Sequence, residues 1–327
     1  MPFPLPFSRP KRPISLTIEE DAVRYVKLKA GEPLTVEEAV EVPLLANIVH
    51  EGRVVDTASL VSVLDGLAKG WGIAKRSVQF LAPDTYVMIR KVPYPEDVME
   101  DELKGHFFIE IGSSIYLPFD DPVFDVVPYL PNEDTHEAIL IASKESVLSG
   151  YETALTEAKF VPLVADIAPL ALYRLAHEKH HFTGDEHVLL ADLTDGQLVV
   201  SIFHQHYPQF MRPVDLENAT ELDLTATELS TRPSALSPLA IVQELEKLVN
   251  FYRYNMWNGS ATITHLLVNG EYAELDALLN QVAGRLNVVA GPLLPDPLKF
   301  ADGGTVPASF NRTIGLALKE VQHASRY

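Results

Sequence analysis

The sequence contains no cysteine among its 327 residues. This absence excludes disulfides, thiolate metal sites and cysteine nucleophiles, and it fits a reducing compartment. No apolar run reaches the roughly 18 residues that a membrane-spanning helix needs. The sequence also lacks the Gly-x-Ser-x-Gly motif of serine hydrolases and the Gly-x-x-x-x-Gly-Lys-Ser/Thr phosphate loop. The most familiar sequence signs of an enzyme are therefore missing.

Basic residues are scarce, with 26 Lys and Arg against 45 Asp and Glu and a formal net charge of −19. A surface of this charge repels nucleic-acid phosphates, so no direct nucleic-acid partner is expected. It also repels anionic lipid, so any membrane association is expected to come through a protein partner. Hydrophobic residues make up 47% and charged residues 22%, which is ordinary globular composition, and the length suggests two domains.

The first 13 residues are rich in proline, and their basic residues follow the apolar ones. This order is unlike a secretory signal, and the prolines prevent a helical apolar segment. We predict a flexible tail over residues 1–13. A loose contact with a membrane or a partner through Phe3, Phe7 and the cations remains the alternative.

After this tail, apolar and polar residues alternate in three short runs, which predicts an antiparallel meander. Helical spacing follows, then two short buried strands. The next segment has its own helix-strand-strand-helix pattern, which begins with a predicted helix over residues 96–115. It is predicted to be a small α/β unit inserted into the first domain. The predicted first domain comprises residues 14–94 and 161–182, and the insert comprises 95–160.

A second half begins near residue 183 and repeats the strand-turn-strand opening of the first. A long helix over 239–257, a strand over 263–268 and helices over 275–286 and 310–322 are predicted to follow. Residues 183–327 are therefore the predicted second domain. The fold class is mixed α/β, with no tandem repeat of short period.

This plan of a duplicated half with an insert in the first resembles the actin, Hsp70 and hexokinase superfamily. Within it the chain resembles the PilM proteins of type IV pilus assembly and, more remotely, FtsA. Four stretches carry the resemblance: the opening strands at 14–28, the insert helix and next strand at 102–126, the return to the first domain at 138–167, and the last helix at 314–318.

The resemblance implies an actin-like ATPase fold with two RNase H-like halves and a small inserted subdomain. It also implies a cytoplasmic scaffold of pilus biogenesis, peripheral at the inner face of the cell membrane. Such a protein binds the cytoplasmic N-terminal tail of a PilN-like single-pass membrane protein. The pilus motor ATPase complex is a further expected partner, and ATP with Mg²⁺ is the cofactor that many family members bind.

Three turns correspond to the turns that contact nucleotide in the family, and all three differ from the family pattern. Glycines let backbone N–H groups approach phosphates, and acidic residues hold Mg²⁺. The corresponding residues are Thr17 and Glu19 in place of Asp and Gly at the first turn, Asp192, Thr194 and Gly196 at the second, and Gly270 at the adenosine turn. We predict a remnant nucleotide site with no catalytic residue, no metal and no ATPase activity.

Alternatives remain at this site. The three consecutive acids Glu19, Glu20 and Asp21 would repel a triphosphate, and they form either a solvated turn or a cation site. The rival function is an active actin-superfamily ATPase or nucleotide switch in pilus, secretion or cell-division assembly. A divergent scaffold of secretion or cell division is a third possibility, distinguished by its partner.

Two other groups of residues merit a hypothesis. Tyr116, Phe119 and Phe124 either line a peptide groove or form the core of the insert. Histidines cluster with acidic residues between positions 177 and 187. We interpret them as histidines at a helix C-terminus rather than as a metal site.

Overall fold

The computed structural model describes residues 12–31, 33–131, 136–194, 197–214 and 237–319. Its strands, in chain order, are β1 (Ile14–Ile18), β2 (Ala22–Leu28), β3 (Val36–Pro43), β4 (Val49–His50), β5 (Arg53–Val54), β6 (Ser77–Ala82), β7 (Val87–Pro93), β8 (Pro122–Pro128), β9 (Glu137–Lys144), β10 (Val161–Ile167), β11 (Val188–Thr194), β12 (Gln197–His204), β13 (Tyr207–Val214), β14 (His265–Asn269) and β15 (Val289–Pro292). Its helices are α1 (Thr57–Gly70), α2 (Leu103–Glu110), α3 (Glu145–Glu157), α4 (Ala168–His180), α5 (Pro238–Phe251), α6 (Leu275–Leu286) and α7 (Asn311–Ala317).

Two five-stranded sheets have the same strand order, β3-β2-β1-β6-β10 and β13-β12-β11-β14-β15. In each sheet three antiparallel strands form a meander, and two parallel strands extend it from the side of the first strand. The predicted duplication is confirmed by this repeated topology.

The central strands are buried on both faces, which explains their nearly continuous apolar sequences. All five residues of β1 are buried, as are the first six of β11. Helices α1 and α3 contribute Leu60 and Leu155 to the core on one face of the first sheet. Helices α5 and α6 cover one face of the second sheet. Helix α4 lies between the sheets, where its Leu172 and Leu175 share a core with residues of both.

Strand β7 differs from its predicted position. Residues 86–94 were expected in the first domain, but β7 pairs with β9 from Val87 opposite Ser143 to Pro93 opposite Glu137. The three-stranded sheet β7-β9-β8 therefore contains it. The physical reason is that the apolar side chains of β7 belong to two different cores. Val87 and Ile89 pack into the core of the first sheet, whereas Val92 packs into the separate small core beneath α2.

The helix expected over residues 96–115 is shorter than predicted. A 3₁₀ turn at Glu100–Glu102 leads into α2, which ends at Glu110. The backbone then reverses through Gly112, whose φ of +90° lies in the left-handed region that favours glycine. The residues that follow, up to the start of β8, are irregular.

Helix α7 returns to the first half, although its residues were predicted to belong to the second domain. It packs against β1, β2 and α4. The approach to α4 is close enough that a Cβ at Gly315 would lie 2.0 Å from the carbonyl oxygen of Ala171. The end of the chain thus positions its side chains at the junction of the two halves.

Candidate functional site

A cavity of about 540 Å³ lies where the first β-turns of the two halves face each other. Its residues come from both halves: Ile18, Glu19, Glu20, Asp21, Leu44, Ala46, Asn47, Val49, His50, Gly52, Pro83, Asp84, Thr85 and Tyr151 before α4, and Thr194, Gln197 and Arg312 after it. Loop ends at the carboxyl edges of parallel strands are the usual place for ligands in open α/β sheets. This cavity is the candidate site.

The acidic first turn is held by a buried arginine. Arg24, which is 4% exposed, pairs with Glu19 and Asp21 from the turn. Its Nε also donates to Glu41 Oε2 at 2.6 Å. The prediction of a solvated turn is wrong for Glu19, whose side chain is only 9% exposed. The pairing orients this carboxylate towards the junction of the halves.

A second arginine, Arg312 on the first turn of α7, joins carboxylates from three segments. Its Nε and Nη2 donate to Asp192 Oδ2 at 2.7 and 2.6 Å. Its Nη2 also lies 3.0 Å from Asp84 Oδ2, and its Nη1 lies 3.2 Å from Glu19 Oε1. Burial alone would lower the pKa of Arg312, but the carboxylates outweigh it and raise the pKa well above its usual value. Arg312 is therefore a permanent cation at the inner end of the cavity.

Asp84, two residues after the end of β6, is a carboxyl of the site with a raised pKa. Burial raises the pKa of Asp84 to about 6, although Arg312 acts in the opposite direction. Its Oδ1 is buried and has no partner among the described protein atoms. Neither Asp84 nor Arg312 was identified from the sequence. The position of Asp84 just after a buried strand was the available signal, whereas Arg312 had none.

Polar side chains connect the strand ends behind Arg312. Asp192 Oδ1 accepts from Asn269 Nδ2 at 2.8 Å and from Thr194 Oγ1 at 2.7 Å. Asn269 Oδ1 in turn accepts from Asn311 Nδ2 at 2.8 Å. This network joins β11, β14 and α7. It gives Asp192 and Thr194 structural partners within the protein.

Thr17 and Gly270 also have structural explanations. The hydroxyl of Thr17, at 1% exposure, lies 2.8 Å from the hydroxyl of Thr313 on α7. Gly270 has a φ of +114°, and a Cβ there would lie 1.9 Å from the carbonyl oxygen of Leu193. Its glycine is required by the close approach to the end of β11.

Five of the six predicted remnant-site residues thus lie in one region, namely Thr17, Glu19, Asp192, Thr194 and Gly270. The sixth, Gly196, lies outside the described residues. Thr17, Glu19 and Asp192 contact α7, whereas Thr194 bonds to Asp192 and Gly270 lies against Leu193. Their role as a nucleotide remnant remains a prediction.

The charged side chains around the cavity are mostly acidic. Glu19, Glu20 and Asp21 line it from the first turn, and Asp84 lines it from the end of β6. The arginine that reaches it, Arg312, is already paired with carboxylates. A triphosphate without Mg²⁺ would meet several carboxylates here, and the arginine among the described lining residues is already paired, which is unfavourable in a cleft of low dielectric.

The three predicted groove residues differ in their surroundings. Phe124 packs against the small core beneath α2, together with Leu103 and Phe107. Phe119 is half-buried, and Tyr116 is 73% exposed. Two other large apolar side chains of the insert, Phe108 and Ile109 on α2, are 75% and 72% exposed. Phe124 therefore belongs to the core of the insert, whereas Tyr116 belongs to its surface.

The histidines between 177 and 187 do not converge. His180 Nε2 lies 3.0 Å from the carbonyl oxygen of Leu293, while His187 stacks on His204 with ring centroids 3.8 Å apart. Within the described ranges, no group of three or more acidic or histidine side chains is arranged to hold a metal ion. The stacked pair is partly buried, and burial together with His204 lowers the pKa of His187 to about 4.

No helix in the described part of the chain is both long enough and apolar enough to cross a membrane. Comparison with known sequences matches residues 15–216 to the family described as "Type IV pilus assembly protein PilM". No curated protein matches the chain.

Two solved structures illustrate what the chain is similar to. A structure of the PilM-PilN type IV pilus biogenesis complex matches with 21% identity and a TM-score of 0.71, over 95% of this chain and 98% of that one. The cytoplasmic domain of EpsL, an inner-membrane component of the type II secretion system of Vibrio cholerae, matches with 13% identity and a TM-score of 0.49, over 94% and 95% of the two chains. The predicted actin-like fold is confirmed by the first likeness and the repeated topology.

Proposed function

The chain belongs to the PilM family of type IV pilus assembly proteins, and from this premise we propose that it is a scaffold that works without hydrolysing nucleotide. Its partner is the N-terminal tail of a PilN-like membrane protein. The similarity in fold to the PilM of a PilM-PilN complex supports a partner of this kind. The scaffold lies on the cytoplasmic side of the membrane and associates with it through the partner.

The observation that carries nucleotide independence is the pairing of Arg312. Its guanidinium contacts Glu19, Asp84 and Asp192, which are carboxylates of both halves. A nucleotide would have to displace this arginine or place its phosphates beside carboxylates whose cations are already engaged. Both routes are unfavourable, which supports a scaffold over an ATPase.

The partner surface is proposed on the insert, at Phe108, Ile109 and Tyr116, which are all more than 70% exposed. Large apolar side chains exposed on one small subdomain are candidates for a protein contact. A partner segment with apolar residues at helical or alternating spacing would bury them. The net charge of −19 favours a segment that also carries Lys or Arg.

Calorimetric titration tests this function. The intact protein is titrated with Mg-ATP and, separately, with a synthetic peptide of the N-terminal tail of the PilN-like protein encoded with it. The expected result is saturable heat with the peptide and none with Mg-ATP. Binding of Mg-ATP would favour the nucleotide-switch alternative, and absence of peptide binding would contradict the adaptor role.

The pilus motor ATPase complex remains a proposed second partner. A scaffold that holds a membrane-protein tail on its cytoplasmic side could contact the motor with a different surface. Pull-down by the motor complex from purified components, with and without the tail peptide, would test it. No capture in either condition would remove the motor from the proposal.

A further inference from the structure

Arg312 lies at the junction of the two halves. Asp192 belongs to β11 of the second half, whereas Glu19 and Asp84 follow β1 and β6 of the first. The side chains of these carboxylates are 4%, 9% and 9% exposed. A single cation thus holds three nearly buried acids from opposite sides of the cavity.

The neighbours of Arg312 strengthen this connection. Asn311 donates to Asn269 of the second half at 2.8 Å, and Thr313 bonds to Thr17 of the first half, also at 2.8 Å. Three consecutive side chains of one helical turn therefore bind strand ends on both sides. Helix α7 can hold both halves because it packs between them, with Ile314 in the core that α4 shares with both sheets.

The charges require a cation in this place. Removing one partner from a buried ionic cluster leaves uncompensated charges and is strongly destabilising. Without Arg312, Asp84 and Asp192 would have no cationic partner among the described residues, whereas Glu19 would keep Arg24. Asp84 and Asp192 would then each have to stay buried without a counterion or take up a proton, and the ionic contact between the two halves would be lost.

We propose that Arg312 is a built-in cationic latch, whose guanidinium holds the two halves together across the cleft without a bound nucleotide or metal ion. In this arrangement the closed cleft is a permanent property of the chain. The latch does not depend on the partner proposed above, because it rests only on contacts within the protein.

Chemical rescue tests the latch. The R312A variant removes the atoms from Cγ outward, and ethylguanidinium supplies the same atoms as a free molecule. We expect R312A to have a lower Tm than the wild type. Ethylguanidinium at about 10 mM should raise the Tm of R312A saturably, by about 2–4 °C for each 1 kcal/mol of binding. The wild type should show no rise.

R174A is the matched control. Arg174 also pairs with a buried carboxylate, Asp166, and donates to the carbonyl oxygen of Gly315 on α7 at 2.6 Å. Asp166 keeps a second cation, Lys319, whose Nζ lies 3.3 Å away. R174A should therefore lose less stability and should show no rescue. An equal rescue of R174A would overturn the latch.

A second variant keeps the test valid if R312A folds poorly. D84N/D192N/R312A removes the cation together with the two acids that depend on it, so its Tm should exceed that of R312A. It should not respond to ethylguanidinium. The latch is overturned if this variant is no more stable than R312A, or if R312A is as stable as the wild type.

Discussion

The two halves share one topology but differ in the charge and the bonding partners of their first turns. In the first half the turn after β1 carries three consecutive acids, and Arg24 from β2 pairs with two of them. In the second half the corresponding strand end carries Asp192, which is bonded to the neutral side chains of Asn269 and Thr194. Both sheets have the order of a meander followed by two parallel strands.

The difference shows that the topology and the charge of a strand end are independent. Strands that are buried on both faces need mainly apolar residues, and both sequences supply them. The charge at the strand end is free to change provided that a partner compensates it. Arg312 is the partner that the halves share, since it contacts Glu19 of one and Asp192 of the other. The carboxylates of both halves are therefore compensated by a residue of α7.

The largest expected effect comes from adding a methyl group where the backbone is closest. Gly315→Ala places a Cβ 2.0 Å from Ala171 O, and Gly270→Ala places one 1.9 Å from Leu193 O. Each should lower the free energy of unfolding by more than about 3 kcal/mol, because backbone cannot yield cheaply. Denaturant unfolding measures this.

Gly284→Ala is the control for both glycines. Gly284 lies in α6, and a Cβ there meets nothing within 4 Å. Its substitution should raise stability by up to about 1 kcal/mol, because alanine favours a helix over glycine. If Gly315→Ala or Gly270→Ala behaved like this control, the close approach of α7 or β14 would be wrong.

The next largest effect is expected when one carboxylate of each half is replaced by its amide. Asp192→Asn removes the acid that takes two bonds from Arg312, whereas Glu19→Gln leaves Arg24 with Asp21 and Glu41. We expect Asp192→Asn to cost about 2–4 kcal/mol and Glu19→Gln roughly half as much. Thermal and denaturant unfolding of the two variants would show the order. An inverted order would mean that the first half, not the second, supplies the main partner of Arg312.

A smaller effect is a pH dependence with opposite contributions from the two halves. His187 has a folded pKa of about 4, below its ordinary 6.5, so it contributes stability above pH 6.5 that is lost as the pH falls towards 4. Asp84 has a folded pKa of about 6, above its ordinary 3.8, so its contribution weakens as the pH rises from 3.8 to 6.

Two variants separate these contributions. Between about pH 4 and pH 6.5, the free energy of unfolding should rise less steeply with pH in His187→Gln than in the wild type. In Asp84→Asn it should rise more steeply. Unfolding curves across this range measure both slopes. A slope unchanged in either variant would show that the corresponding group does not titrate as its burial implies.

The smallest expected effect on stability, but a direct one on binding, concerns Tyr116. Tyr116→Ala should weaken binding of the tail peptide about tenfold with little change in Tm, because an exposed aromatic that becomes buried carries much of an interface. Tyr254→Ala is the control, since Tyr254 is 57% exposed in the second half. Equal peptide affinity in both variants would move the partner surface away from the insert.

Much of the fold could be predicted from the sequence because its signals are local. Alternation predicts the opening strands, and the repeated opening near residue 183 predicts the duplication. The strand β7 was misplaced because alternation shows two faces without showing which cores they meet. The end of α2 was missed because the sequence shows only apolar spacing, which continues past Gly112.

The site was predicted less completely, because it depends on contacts between distant residues. Glu19 and Asp192 could be found from the strand-turn pattern and the family resemblance. Arg312 is 120 residues from Asp192 and 293 from Glu19, so its role exists only in the folded chain. Asp84 differs from other acids after strands only by its burial, which again follows from the packing of distant segments.

Nucleotide independence is tested most directly by measuring the affinity of the tail peptide in the absence and presence of about 5 mM Mg-ATP. Binding linkage requires that any nucleotide that favours the partner also binds more tightly in its presence. A scaffold closed by its own arginine predicts the same peptide Kd in both conditions. A change of about tenfold or more would contradict it, and would show that the cleft still responds to nucleotide.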